Sequence, residues 1–500
     1  ATSNYQYRQQ IKVAIHLNTG RETTMREEKD LLGTLMVPDD AYYGIQTQRA
    51  VLNFSVSGQT AADIPHFLWS IAAIKHAAAQ ANAQIGALDQ QKAAVIVTAS
   101  QEVMNGRFDA HFPIDIFQGG GGTSTNMNMN EVIANRANEL LTGARGYDAV
   151  HPNTHVNMGQ STNDVIPAAM KMTSRMNIKQ LLVQLEKLET VLADKSHLFA
   201  DKVKLGRTCL QDAVPMTFGQ QFGAYRTQVS RLKEKLTEVN EEALCLPLGA
   251  TAIGTGLSTH EGYLPAVYHW LETLTGEKYR PETDFFDGLQ HGDFYIEFSA
   301  QLKKIAAFLS KMATDFRIQG SGPRAGFNEI IVPAVQPGSS IMPGKINPVM
   351  PELMNQIAYQ VIGNDVTVTM AVEGGELDLN VWEPVLLKAL FESCSLLSRG
   401  IPLFIDKCLK DIAINEEVSA RYAEGSTALA TIVATLFGYQ VGSRIAKAAY
   451  QQQCSVKQVV LAEKLLTPEQ ADYLLDPMNM TDPQKSTAAI KRYQTEMNML

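Results

Sequence analysis

Three stretches in the middle of the chain carry apolar residues at alternating intervals of three and four positions. These stripes are Ile178, Leu181, Leu185, Leu188 and Leu192, then Phe222, Tyr225, Val229, Leu232, Leu236 and Val239, and finally Phe298, Leu302, Ile305, Leu309, Met312 and Phe316. Such spacing gives each helix one apolar seam, which is typical of long helices packed nearly parallel. Two further helices are predicted at about residues 351–368 and 383–398. The sequence therefore predicts a mainly α fold with a long central helix bundle.

Changes in composition divide the 500 residues into four predicted parts. We expect a disordered N-terminal extension over residues 1–27 and a mixed, mostly helical N-terminal domain over residues 28–160. The central long-helix bundle is predicted for residues 161–420, and a small C-terminal helical domain for residues 421–500. A chain of this length is expected to form about three domains or one large domain with additions.

Composition excludes several classes of protein. Hydrophobic residues make up 45% of the chain, which argues against wholesale disorder, and the formal net charge is −9 without a long basic block. A nucleic-acid groove or a membrane-binding patch is therefore not expected. No apolar run is long enough to span a bilayer. The five cysteines include no CxxC pair, which argues against a disulfide framework or a structural zinc site and favours a reducing, cytoplasmic location.

Polar segments rich in Gly, Asn, Ser and Thr interrupt the helical stripes, and we expect them to be loops or helix starts. They lie at residues 117–130, 151–164, 206–213 and 321–347. The STND sequence at residues 161–164 supplies good N-cap residues, and a helix N-terminus binds carboxylates readily. The glycine run at residues 119–122 lets backbone N–H groups approach a ligand. Ordinary capping and a flexible loop remain open as the alternative interpretations.

The segment at residues 338–347 reads GSSIMPGKIN. Ser339 and Ser340 offer hydroxyls, while Lys345 and Asn347 offer donors to an anion. Composition alone favours a surface turn with a solvated lysine, and no histidine lies close enough in sequence to argue for a serine–histidine pair.

Taken together, these segments resemble the fumarase/aspartase superfamily. GSSIMPGKIN matches the superfamily signature, and it is supported by GTSTNMNMNEV at 122–132, HPNTHVNMGQSTND at 151–164, GRTCLQDAVPMT at 206–217, LGATAIGTGL at 248–257 and SGPRAG at 321–326. The resemblance covers about residues 28–470. It implies a homotetramer built on a twenty-helix bundle, with each active site assembled from three subunits. The implied chemistry is reversible anti elimination from a succinyl compound to release fumarate.

Within the superfamily the chain is most similar to the ammonia-lyase branch. The similar segments are LQDAVPMT at 210–217, NPVMPE at 347–352 and VIGNDVTVTMA at 361–371. This similarity implies release of ammonia from L-aspartate. Class II fumarate hydratase is the alternative, but fumarases usually carry histidine where this chain has Cys209. A non-catalytic structural relative is a third possibility, against which the complete signature argues.

The resemblance also implies roles for individual residues. Ser339 matches the general base, and Lys345, Asn347 and Thr208 match the residues that hold the β-carboxylate and stabilise the enediolate. The residues that match other substrate contacts are Thr123, Ser161, Thr162, Asn163, Ser340 and Met342. No cofactor is required by this chemistry because the leaving group is already a protonated amine, although divalent cations activate some members. No compact set of metal ligands is recognisable in the sequence.

Overall fold

The structure is a computed structural model that describes residues 24–499, and helices dominate it. They are α1 (Ile45–Asn53), α2 (Phe67–Gln84), α3 (Gln90–Met104), α4 (Thr123–Thr142), α5 (Thr162–Leu198), α6 (Phe218–Glu242), α7 (Tyr263–Thr275), α8 (Phe285–Gln290), α9 (Asp293–Gln319), α10 (Val349–Glu373), α11 (Glu383–Phe404), α12 (Glu416–Gly425), α13 (Ala430–Phe437), α14 (Tyr439–Gln452), α15 (Val456–Ala462), α16 (Pro468–Leu474) and α17 (Pro483–Asn498).

The predicted stripes form the buried faces of the long helices. Every stripe residue on α5, α6 and α9 is buried, and the most exposed of them, Tyr225, keeps only 6% of its surface. The fourth and fifth predicted helices correspond to α10 and α11. α10 extends beyond both predicted ends, and α11 extends beyond its predicted C-terminal end. The predicted mainly α fold with long helices is therefore confirmed.

Strands are short and pair two by two. They are β1 (Met25–Asp30), β2 (Gly33–Pro38), β3 (Val203–Thr208), β4 (Gln211–Thr217), β5 (Cys245–Leu246), β6 (Arg280–Pro281), β7 (Ile330–Ile331) and β8 (Ala413–Ile414). β1 pairs with β2, β3 with β4 and β7 with β8 in antiparallel fashion, whereas β5 and β6 are parallel.

The prediction of a loop or helix start at residues 206–213 is wrong, because this segment is the tip of the β3–β4 hairpin. Cys209 and Leu210 form its turn with φ values of 53° and 59°. Two successive left-handed residues suit a two-residue hairpin turn, whose twist matches that of the flanking strands. The Asn-Gly or Asp-Gly sequence that usually marks such a turn is absent here, so the sequence pattern did not predict the hairpin.

The chain separates into two compact units, and each draws on several stretches of sequence. Of the described residues, the first unit contains 24–180, Leu236–Leu302 and Gly363–Ser395, and the second contains Leu181–Lys235, Lys303–Ile362 and 396–499. These divisions are not the predicted domain boundaries, which stay predictions. Most of the predicted N-terminal extension lies outside the described residues, and its predicted end at residue 27 falls inside β1.

The C-terminal helices have an apolar cluster of their own. Its buried members include Leu429, Val433, Ile445, Val460 and Leu474. Among residues 24–499, no helix is both long enough and apolar enough to cross a bilayer.

Candidate active site

The start of α5 uses two of the four STND residues for capping. The Ser161 hydroxyl accepts from the backbone N–H of Asn163 at 3.3 Å, and Asp164 Oδ1 accepts from the N–H of Ser161 at 2.9 Å. This arrangement resembles a capping box with aspartate at N3, except that the Ser161 hydroxyl accepts from the N–H of the second helical residue rather than the third. Thr162 and Asn163 are not needed for it, so ordinary capping accounts for only half of the motif.

Asp164 also ties a second polar segment to this helix start. Its Oδ2 accepts from the backbone N–H groups of Gly249 and Thr251, both at 3.0 Å. Asn163 donates its amide to the carbonyl of Ala252 at 2.7 Å. The LGATAIGTGL segment therefore packs against the STND segment, as two parts of one site would.

A buried lysine lies beneath the same helix start. The Lys75 ammonium on α2 donates to Asn157 Oδ1 and Gln160 Oε1, both at 2.9 Å, and the side chain is fully buried. Burial lowers the pKa of Lys75 to about 7, and the charge of Asp164 opposes this shift. Burial likewise raises the pKa of Asp164 to about 6, against the effect of its three N–H donors and Lys75. The two buried groups therefore influence each other electrostatically beneath the loop at residues 151–164.

Thr123 opens α4 directly after the glycine run. Gly120, Gly121 and Gly122 have φ values of 87°, 57° and 77°, a left-handed conformation that glycine adopts without steric cost. The Thr123 hydroxyl is exposed and donates to the carbonyl of Gly120 at 2.7 Å. Thr123 also borders a cavity of about 350 Å³ whose wall includes Arg49.

The starts of α4 and α5 lie against each other. The Asn126 amide donates to the Thr162 hydroxyl at 3.1 Å. A Cβ atom built on Gly122 would lie 3.1 Å from Ile166 Cγ1. Thr123 and the Ser161–Asn163 segment, which are distant in sequence, therefore share one end of the first unit.

The signature loop belongs to the second unit and surrounds Ser339 with its own backbone. Ser339 Oγ accepts from the N–H groups of Ile341 at 3.2 Å and Met342 at 3.0 Å. The loop is closed by a bond from Gly338 N–H to the Lys345 carbonyl at 2.8 Å and by one from the Asn347 amide to the Gly338 carbonyl at 2.8 Å.

The side chains around Ser339 are exposed on the single chain. Ser340 and Lys345 are exposed, and Met342 keeps 49% of its surface. A Cβ atom at Gly338 would lie only 2.6 Å from the backbone of Lys345 and Asn347. The tight closure of this loop therefore requires glycine at residue 338.

Thr208 is exposed at the end of β3, next to the hairpin turn. The neighbouring Arg207 anchors the hairpin, since its guanidinium contacts the buried Glu329 at 2.8 Å and lies 4.4 Å from the ring centre of Phe327. Cys209 is exposed in the turn, so it does not fill a buried space.

The ten predicted site residues thus fall into two groups. Thr123, Ser161, Thr162 and Asn163 lie together in the first unit, whereas Thr208, Ser339, Ser340, Met342, Lys345 and Asn347 belong to the second. Sequence reasoning missed Lys75 and Asn126, which support the first group. Lys75 lies in the alanine-rich sequence of α2, where nothing in the pattern marks it as functional. Within residues 24–499, no three His, Cys, Asp or Glu side chains lie close enough to hold a metal ion.

Comparison with protein families gives two matches. Residues 33–363 match the family described as lyase, and residues 429–482 match the family described as fumarase C C-terminus.

Curated relatives match over nearly their whole length. Aspartate ammonia-lyase of Helicobacter pylori is 42% identical over 92% of this chain and 98% of its own. The enzymes of that name from Pseudomonas aeruginosa and Escherichia coli are 44% and 41% identical, over 92% and 94% of this chain and 97% and 98% of their own.

Solved structures match equally broadly. A fumarate lyase:delta crystallin from Brucella melitensis, bound to cobalt, has a TM-score of 0.90 at 42% identity and covers 92% of this chain and 100% of its own. The class II fumarase of Schistosoma mansoni has a TM-score of 0.88 at 35% identity, with the same coverage.

Proposed function

The chain belongs to the lyase family, and from this we infer that it is an aspartate ammonia-lyase, which converts L-aspartate to fumarate and ammonia. The observation that carries this conclusion is the 41–44% identity to aspartate ammonia-lyases over at least 92% of the chain. The fumarase structure is less similar, at 35% identity. Cys209, at the place where fumarases usually have histidine, agrees with this assignment.

Ser339 is the proposed general base of the elimination. A serine hydroxyl is a poor base, so it must act as an alkoxide that is stabilised by its surroundings. The two backbone N–H groups at 3.0 and 3.2 Å from Ser339 Oγ support this role, because donors aimed at a negative oxygen lower the cost of forming it. Ser339 takes the proton from C3, and the C2–N bond breaks to release the amine.

Removal of the C3 proton places a second negative charge on the β-carboxylate, so the enediolate needs fixed donors. Lys345 supplies a full positive charge, while Asn347 and Thr208 supply neutral donors. The first group of residues, around Thr123 and Ser161–Asn163, is proposed to bind the substrate's other polar groups at the paired starts of α4 and α5. A helix start is suited to this because its N–H groups attract anions.

We propose a homotetramer whose active sites are shared by three subunits. An exposed apolar stripe on α10 supports association, because Tyr359, Ile362, Val366 and Met370 recur at helical spacing and are 64%, 39%, 57% and 68% exposed. An exposed apolar face of this kind marks an interaction surface. The exposed side chains around Ser339 need cover of the same kind if the site is to exclude water.

No metal is required by the proposed elimination, and activation by a divalent cation stays a proposal. The five free cysteines are compatible with a reducing, cytoplasmic location.

The test is one pair of assays on the purified protein. Incubation with L-aspartate is expected to give fumarate, followed by its absorbance, and ammonia in equal amounts. Incubation with L-malate is expected to give no appreciable fumarate. Fumarate from malate at a rate comparable to that from aspartate would identify a hydratase instead, and no product from either substrate would contradict both activities.

A further inference from the structure

A small cavity lies between the glycine run and the start of α11, where Glu383 is the first residue. Its volume is about 10 Å³, close to the smallest space that holds one water-sized particle. Apolar side chains form most of its wall, namely Phe67, Ile116, Ile166, Pro384 and Leu387. Glu383 is only 6% exposed, and a Cβ atom built on Gly121 would lie 3.5 Å from its Oε2.

One carboxylate oxygen of Glu383 is unsatisfied. Among the residues that the structure describes, Oε2 has no hydrogen-bond partner. A buried carboxylate is normally paired or hydrogen bonded, because an isolated charge in an apolar setting is costly. Burial accordingly raises the pKa of Glu383 to about 8. Oε2 of Glu383 is therefore a buried acceptor for which the described part of the chain supplies no donor.

The other polar groups of the wall also favour a donor as the guest. Gln118 gives its amide N–H to the Asp115 carbonyl at 3.0 Å and turns its oxygen toward Thr125, whose N–H and hydroxyl donate to it at 3.2 and 3.1 Å. No residue of the described wall besides Glu383 carries an ionisable side chain. The nearby Tyr295 stays neutral, since burial raises its pKa and its hydroxyl donates to the Pro167 carbonyl.

We propose that this cavity is a site for one ammonium ion, held by Glu383, beside the loop that carries Thr123. The guest must be small, must donate a hydrogen bond to Oε2, and must balance the negative charge that Glu383 carries once its carboxyl proton has left. Ammonium meets all three requirements. The inference rests on the proposed function, since the reaction itself releases ammonia. Ammonia can enter the apolar cavity as a neutral molecule and take the carboxyl proton of Glu383, which leaves an ion pair with no net charge.

The kinetic test uses the reverse reaction, with fumarate and ammonium as separately varied substrates. Glu383→Gln keeps the shape of the side chain but removes its charge, so the KM for ammonium is expected to rise about tenfold or more, as loss of a charged hydrogen bond implies. The KM for fumarate is expected to change less than about twofold. Glu376→Gln, which removes an exposed carboxylate on the same unit, is the control and should leave both values unchanged. An unchanged KM for ammonium in Glu383→Gln would overturn the proposal.

A structural test does not depend on activity. Crystals of the wild-type protein soaked in thallium(I), which resembles ammonium in size and charge, are expected to show an anomalous peak beside Glu383 that excess ammonium removes. Crystals without such a peak, or with a peak that ammonium does not displace, would show that the cavity binds no such cation. If the wild type forms no aspartate from fumarate and ammonium, the proposed function is wrong, but the thallium experiment still shows whether the cavity binds a cation. The thallium experiment also answers this question if Glu383→Gln does not fold.

Discussion

Ser339 presents its hydroxyl oxygen to two backbone N–H groups of its own loop, and this contact explains how a weak base could act at neutral pH. Ser339→Ala removes the base but keeps the loop closures made by Gly338 and Asn347. We expect turnover of L-aspartate to fall about 10²–10⁴-fold, as is usual for loss of a general base, with an unchanged melting temperature. Steady-state kinetics and calorimetry test this. If Ser339→Ala keeps turnover within about tenfold of wild type, Ser339 is not the general base.

The burial of Lys75 predicts how the stability of the fold depends on pH. Its pKa is about 7 in the folded chain, against 10.5 for an ordinary lysine. Between these values the unfolded chain binds the proton and the folded chain does not, so the stability contribution of Lys75 rises with pH. The free energy of unfolding of the wild type, measured by chemical denaturation, should therefore rise relative to that of Lys75→Met from pH 7 to pH 10, by up to about 1.4 kcal/mol per pH unit. If the stabilities of the two proteins change in parallel with pH over this interval, the pKa of Lys75 is not lowered in the folded chain.

Single buried charges are also where sequence reasoning reached its limit. The residues of the signature loop could be found from their types and spacing, because several polar residues occur together. Lys75 and Glu383 each stand alone in a predominantly apolar stretch. A single charged residue in such a stretch is ordinarily predicted to be exposed to solvent. Only the packing of distant elements around them reveals that they are buried.

At the level of elements, the long helices were predictable and the hairpin was not. The stripes on α5, α6 and α9 repeat over many turns, so a single misplaced residue does not hide the period. The turn at Cys209 and Leu210 depends on two residues alone, and neither is typical of that turn. Local capping at Ser161 was likewise predictable, whereas the contact between Asp164 and Gly249 depends on the fold.

The two ends of α4 provide a matched pair of substitutions. Gly122 and Gly143 cap the helix with φ values of 77° and 80°, but only Gly122 would place a Cβ atom against Ile166. Gly143→Ala is expected to cost about 1–2 kcal/mol for the left-handed backbone alone. Gly122→Ala should cost more, and it should raise the KM for aspartate because it separates the starts of α4 and α5. Chemical denaturation and kinetics distinguish the two, and equal effects on both quantities would mean that the contact with Ile166 has no influence.

At the level of the whole molecule, the single chain leaves the groups that we propose to be reactive exposed to solvent. Ile341, Met342 and Ile346, which belong to the same loop as Ser339, are 85%, 49% and 48% exposed, and Leu210 at the hairpin tip is 64% exposed. Apolar side chains concentrated beside polar catalytic groups are typical of a surface that another chain covers. The sequence indicated such sharing only through the family resemblance, because exposure cannot be read from residue types.

A shared site predicts that two inactive variants restore each other. Thr208→Val and Ser339→Ala lie on separate elements, the β3–β4 hairpin and the signature loop. If neighbouring subunits supply these elements to one site, equal mixing followed by refolding should leave about a quarter of the sites free of both changes. Activity well above either parent is then expected. Ser339→Ala mixed with Asn347→Ala is the control, because both residues belong to one loop and every hybrid site remains defective. Hybrid tetramers that form without recovering activity from the first pair would show that Thr208 and Ser339 of one site come from the same chain.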